Sequence, residues 1–256
     1  MTTFDSFINE STAIGPLLPL MHVTDGFGLR AILSTGGLKP SRCPVFKQPY
    51  LYFSYGRPSF RPNAGEQPSA LASYAPVCFI VSANRVPVRK IFPFDSGAFQ
   101  RQMFRKALHK RMALSDFSLE THLDRPQKVV ATFFGSNTSY FDNDPKPGIK
   151  IPSTNFEVES YLELLSNKQS EQYDDRVSAI EIVTDHAILL KGNVQAIAFP
   201  GTFMEDEAFA KSFQALNCLP LPYPLGARIG NQENFGKISL IVRDYLFGDK
   251  GQYNTP

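Results

Sequence analysis

The apolar residues of this chain come in short runs, and that punctuation limits the folds open to it. Residues 50–55, 77–81, 177–183 and 194–199 each read as a strand bounded by Gly, Pro, Asn or Asp. Helical patterns lie between some of them, but strand and helix do not alternate regularly. That predicts an α+β fold with a mixed, mainly antiparallel sheet and flanking helices, not a doubly wound parallel sheet. Gly26-Phe27-Gly28 lacks the third glycine of a dinucleotide-binding turn, which argues the same way. Neither a GxxxxGK[ST] phosphate loop nor a GxSxG nucleophile elbow is present.

Element by element, a strand ends near Thr24 and a helix follows it to Gly36-Gly37, capped by Thr24 or Asp25. Residues 77–81 form a continuous apolar run, expected as a buried central strand. Residues 87–99 read as irregular. Phe104, Ala107, Leu108 and Met112 recur at helical spacing and predict a helix over 100–114. Residues 129–134 read as a strand, 135–151 as a loop and 156–165 as a short helix. A helix is expected over 205–215, and a strand or short helix over 237–246. The chain of 256 residues is expected to form a single domain, with 85–128 as a basic, helical insertion.

Composition excludes more than it identifies. A net charge of +2 is too small to name an anionic partner, so any nucleic-acid role must come from a local patch. The three cysteines form no CxxC pair, and the four histidines show no metal-ligand spacing, so no metal is expected. The N-terminus lacks the basic start and apolar core of a signal peptide. No apolar run reaches membrane-spanning length, so a cytoplasmic protein with no membrane partner is expected.

Four features carry chemistry. Glu181 is a lone carboxylate in an apolar strand, costly to bury unless a cation or a hydrogen-bond donor meets it. An inward-facing pair with Arg176 or Arg57 would satisfy it structurally; a cleft-facing role is the alternative. His22 sits at the end of a strand, as a structural hydrogen-bonder or a ligand contact. The aromatic strand at 50–55 runs into Gly56-Arg57-Pro58-Ser59, with Arg61 beyond. This turn suits either phosphate binding or solvent. Arg101, Arg105, Lys106, Lys110 and Arg111 make one dense basic stretch, a solvated face or a phosphate-backbone contact surface.

The order of these pieces resembles the ADP-ribosyltransferase superfamily, closest to its DNA-targeting, DarT-like toxin branch. His22-Val23-Thr24 followed by Ile32-Leu33 and Gly36-Gly37-Leu38 is similar to the opening "His-x-Thr … Ile-Leu-x-x-Gly-Leu". Tyr52-Phe53-Ser54-Tyr55-Gly56-Arg57-Pro58-Ser59 is similar to the "Tyr-Phe-x-Pro-Arg-Ser-Pro" turn, with Gly56 in place of proline and Pro58 and Ser59 transposed. Ala179-Ile180-Glu181-Ile182-Val183 resembles the late "Ala-Glu-aliphatic" strand, with Ile180 inserted.

The resemblance implies a split-sheet fold and an NAD-dependent mono-ADP-ribosyltransferase acting as a toxin or defence effector. NAD would be a substrate, a DNA or RNA acceptor would receive the ADP-ribose, and an antitoxin or regulator would restrain the enzyme. Glu181 would stabilise the positive charge building on the ribose, and Arg57 would hold the diphosphate or the nicotinamide side. His22, Thr24, Gly36, Tyr52, Tyr55 and Ser59 would bind NAD, with Tyr52 or Tyr55 stacking on nicotinamide. The basic stretch would carry the nucleic acid. Three other readings stay open: a nucleic-acid-binding module without catalysis, an NAD glycohydrolase, and an interaction protein that binds no NAD.

Overall fold

The computed structural model describes residues 1–59, 71–166, 175–226, 230–249, 251 and 253. Arg61 of the arginine-bearing turn lies outside these residues. The strands are β1 (Leu20–Asp25), β2 (Gly37–Leu38), β3 (Ser41–Arg42), β4 (Pro49–Tyr55), β5 (Pro76–Val81), β6 (Lys90–Phe92), β7 (Glu181–Thr184), β8 (Ile188–Leu189), β9 (Val194–Pro200) and β10 (Leu219–Tyr223). The helices are α1 (Thr3–Asn9), α2 (Gly26–Thr35), α3 (Ser96–Gln100), α4 (Asp124–Phe133), α5 (Asn137–Phe141), α6 (Phe156–Ser166), α7 (Glu207–Leu216) and α8 (Asn231–Phe247).

The class is α+β. The main sheet runs β10-β9-β5-β1-β4-β7-β6, with β3 paired to β4 off this path, and β2 and β8 form a separate two-stranded sheet. Within the main sheet β10 and β9 run parallel, and the other pairs are antiparallel. Every residue of β5 is buried, as its unbroken apolar run demands. At the β10 edge Pro220 and Pro222 alternate with Leu219, Leu221 and Tyr223, so one side of this strand carries no N–H groups. That blunts an edge that would otherwise accept a further strand.

One feature of the register shapes the molecule. β1 pairs with β5 along its whole length, from Leu20↔Val81 to Asp25↔Pro76. With β4 it pairs only at Leu20↔Tyr55 and Met21↔Ser54. β4 continues its ladder with β7, from Ser54↔Glu181 to Leu51↔Thr184. The sheet therefore forks between β1 and β4 just past Met21. The turn after β1 fixes one prong: Asp25 caps α2 by accepting from the Gly28 N–H at 2.7 Å, and Gly36 ends that helix with φ +68°. A Cβ on Gly26 would lie 2.1 Å from the Ala72 carbonyl oxygen, so glycine is required where α2 starts against the neighbouring loop.

Several expectations are corrected. Residues 129–133 lie in α4 and Phe134 is its C-cap, so the run is not a strand: Pro126, Val129, Val130 and Phe133 are buried at i, i+3, i+4, i+7 spacing, and they form one helical face. The expected loop at 135–151 contains α5, and the ambiguous 237–246 segment is part of α8. Residues 100–114 are not a helix. α3 stops at Gln100, Gln102 takes φ +58°, and a series of turns follows that buries Phe104 and Leu108 and exposes the cations between them. The stretch 85–128 contains β6, an edge strand of the main sheet.

The first helix is fastened by a buried charge cluster. Arg125 of α4 is 4% exposed, and its Nε lies 3.0 Å from Oδ1 of the fully buried Asp5 of α1. Its Nη1 donates to Asn9 at 2.8 Å, and Nη2 pairs with Glu120. Removing one partner of such a pair leaves an uncompensated buried charge. Arg125→Ala is expected to lower unfolding free energy by about 3–5 kcal/mol, measured by urea denaturation, with α1 released first in hydrogen exchange.

Candidate active site

The fork opens a cleft of about 660 Å³. This lies within the range of ligand sites, roughly 300–1,000 Å³. Its described lining includes His22, Thr24 and Asp25 from β1, Tyr50 to Ser54 from β4, Ser59 from the following turn, Ala179 and Glu181 at the start of β7, and Asp95 before α3. Three segments far apart in sequence thus meet in one place.

Cross-strand pairing explains which side chains turn inward. Met21, Ser54, Glu181 and Phe92 stand opposite one another in a row across four strands. Opposed residues share a face, and Tyr52, two residues from Ser54, shares it too. By register Glu181 shares a face with Ser54 and Tyr52; it lines the cleft and is only 4% exposed. The strand expected over 177–183 begins later than its apolar run. Asp175–Val177 is a 3-10 turn, and Glu181 is the first residue of β7. The Ser96 N–H, at the start of α3, donates to Glu181 Oε2 at 3.4 Å. Asp95, just before it, accepts from the Ala98 N–H at 2.7 Å, which fixes the turn that presents Ser96.

His22 fills the gap of the fork. Past Ser54, the next β4 carbonyl that points toward β1 is that of Tyr52, but β1 has already diverged. His22 Nδ1 lies 2.9 Å from this oxygen. A carbonyl can only accept, so Nδ1 carries the hydrogen and in the neutral ring Nε2 carries the lone pair. The ring is held by Phe53 and Phe79, with centroids 5.8 and 6.3 Å away. Tyr52 is held in turn: its hydroxyl contacts the Cys43 sulfur, which also accepts from the Val45 and Phe46 N–H groups at 3.3 and 3.4 Å.

The other candidates are distributed unevenly. Thr24 and Ser59 line the cleft. Tyr55 does not. It is three residues from Tyr52, so it faces the opposite side of β4 and is fully buried. Its hydroxyl accepts from the Leu18 N–H at 3.1 Å, and burial pushes its phenol pKa well up. Gly36 is the left-handed cap of α2 and is not among the lining residues. Arg57 is also outside the described lining. Gly56 turns the chain at φ +67°, and the guanidinium is buried, donating to Ser178 Oγ at 2.9 Å and to the Tyr140 carbonyl at 3.4 Å. Arg101, Arg105, Lys106, Lys110 and Arg111 are all exposed, on the turns that follow α3.

Sequence reading missed Asp95, Lys39, Tyr74 and Asn231, which also line the cleft. Lys39 is the one Lys or Arg of the described lining. None of the four stood in a pattern that separates it from an ordinary loop or helix residue. Among the described residues no group of three or more His, Cys, Asp or Glu is placed to hold a metal ion, and no helix is long and apolar enough to cross a membrane. The chain matches no protein-family model and no curated protein with which it was compared.

The His22 geometry makes a spectroscopic prediction. Long-range 1H–15N correlation spectra at neutral pH are expected to show His22 as the Nδ1–H tautomer. The Nε2–H tautomer would contradict the bridge to Tyr52.

Proposed function

We propose that this chain is an NAD-dependent mono-ADP-ribosyltransferase with an ADP-ribosyltransferase-like split sheet. The observation that carries the reading is the convergence of His22, Tyr52 and Glu181 on one cleft at the fork of the sheet. These are the positions on which the sequence resemblance rests. A glycosyl-transfer site needs a buried, oriented carboxylate beside a cleft of ligand size, and Glu181 in the fork is consistent with that.

In the reaction the bond between ribose C1′ and the nicotinamide nitrogen breaks, and its electron pair leaves with neutral nicotinamide. Positive charge builds on the ribose, and the Glu181 carboxylate stabilises it from a nearly water-free position. The acceptor's oxygen or nitrogen then bonds to C1′ and gives up a proton, which a carboxylate of the cleft takes. His22 offers the Nε2 lone pair to a ribose hydroxyl, and Tyr52 lends a ring edge or face to the nicotinamide. Lys39 takes over the diphosphate contact first expected of Arg57, and Arg57 serves as a brace behind the strand.

The acceptor is read as nucleic acid. The donor to Glu181 is at the start of α3, and the exposed basic run begins where that short helix ends. A phosphate backbone held on this run would be delivered toward the cleft, with an affinity that falls steeply with salt.

The test is incubation with labelled NAD and separate pools of DNA, RNA and protein. Nicotinamide release with label entering nucleic acid is expected. Glu181→Gln is expected to slow release by about 10²–10³-fold, the usual loss for a preorganised electrostatic contact. Release with label remaining on free ADP-ribose would select the glycohydrolase reading. No release, with nucleic-acid binding unchanged in Glu181→Gln, would select the non-catalytic module.

A further inference from the structure

We propose that Tyr140 is a positioning residue for Glu181, its hydroxyl standing in for one rung of the β4–β7 ladder. The role rests on the reading of Glu181 given above. Ser54 pairs with Glu181, so the next antiparallel pair inward is Tyr55 with Ile180. A pair of this kind normally exchanges two backbone hydrogen bonds. One is present: the Tyr55 N–H donates to the Ile180 carbonyl at 2.9 Å. The reciprocal one is split by a side chain. The Ile180 N–H donates to the Tyr140 hydroxyl oxygen at 3.2 Å, and the hydroxyl hydrogen goes to the Tyr55 carbonyl at 2.8 Å.

A phenol has one hydrogen to give and lone pairs to receive, so this is the arrangement that serves both backbone groups. Its effect is to hold the two strands apart on one side, at the residue pair adjoining Glu181 and Ser54. Tyr140 comes from α5, outside the sheet, and is fully buried. Its ring packs edge-on against Phe134 at 5.2 Å. Its own carbonyl accepts from Arg57, which also holds Ser178 two residues before Ile180. Beyond α5, Asp142 accepts from Nε and Nη2 of Arg243 of α8, at 2.9 and 2.8 Å. That contact holds the Asp142 carboxyl below the usual carboxylate range. The backbone entering Glu181 is thus clamped from a neighbouring helix rather than by its ladder alone.

Phenylalanine at 140 keeps the ring and removes the rung. The Ile180 N–H and Tyr55 carbonyl then lose that partner, and the ring kept at 140 holds them too far apart to close on each other. The Glu181 backbone is freed to shift, and small displacements of a reacting group are costly in rate.

The test compares Tyr140→Phe with Phe134→Leu, which loosens the same packing but leaves the hydroxyl. Two readouts are needed. Site-resolved amide exchange, which requires no NAD, is expected to accelerate at Ile180 by at least ~10-fold in Tyr140→Phe and to stay near wild type at Ile182 and Val183. Nicotinamide release is expected to lose at least ~10-fold in kcat with KM for NAD within about threefold, the signature of a contact made only in the transition state. Phe134→Leu is expected to keep wild-type kcat. Unchanged exchange at Ile180 overturns the rung. Faster exchange with unchanged kcat, or an equal kcat loss in Phe134→Leu, overturns the positioning role. A wild type that releases no nicotinamide overturns the enzymatic reading and the positioning role with it, while exchange still decides the rung.

Discussion

β1 cannot follow both of its neighbours. It stays with β5 for six residues and leaves β4 after two pairs, and the space between them becomes the cleft. Everything functional in this account depends on that divergence. The backbone groups it strands must be satisfied some other way, because unpaired buried carbonyls are expensive. His22 does this at Tyr52 with an imidazole. Tyr140 makes a comparable repair on the other side of β4, in the β4–β7 ladder at Tyr55 and Ile180, with a phenol. His22, which repairs the fork, also lines the opening.

The burial of Glu181 follows from this arrangement. A carboxylate that is only 4% exposed loses most of its hydration, and the Ser96 N–H returns part of it. A group so placed is oriented before any ligand arrives. A positive charge developing beside it would be attracted in a medium that screens weakly. Asp95 and Asp25 add negative charge to the same lining. Lys39 is the one Lys or Arg of the described lining beside them, and under the proposed function it is the counterpart for a diphosphate.

Local chemistry predicted local structure well. The strand–cap–helix unit through Asp25 and Gly36, the aromatic strand β4 and the buried run of β5 were legible from capping residues, β-propensity and continuous hydrophobicity. The 129–134 segment failed because a short β-branched run looks alike in strand and helix. Only Pro126, three residues upstream, extends it into a helical face. The 100–114 segment failed for the opposite reason: helical spacing was present, but Phe104 and Leu108 are anchored in the core by turns. For the site, period two along β4 separates Tyr52 from Tyr55, so that distinction was available in the sequence. The fate of Arg57 was not, because it depends on Gly56 turning the chain and on Tyr140 and Ser178, distant partners that no local pattern announces. Lys39 lies between β2 and β3 and Asp95 follows β6, so both reach the cleft through strand pairings with segments distant in sequence.

If the fork is a nicotinamide–ribose site with Glu181 at its reacting end, intact NAD binds there. The most direct measurement is a crystal structure of the Glu181→Gln protein soaked with intact NAD. The dinucleotide is expected in the fork, with the nicotinamide riboside beside Tyr52 and residue 181 and a ribose hydroxyl within hydrogen-bond reach of His22. NAD bound elsewhere, or an empty fork at saturating NAD, would contradict it.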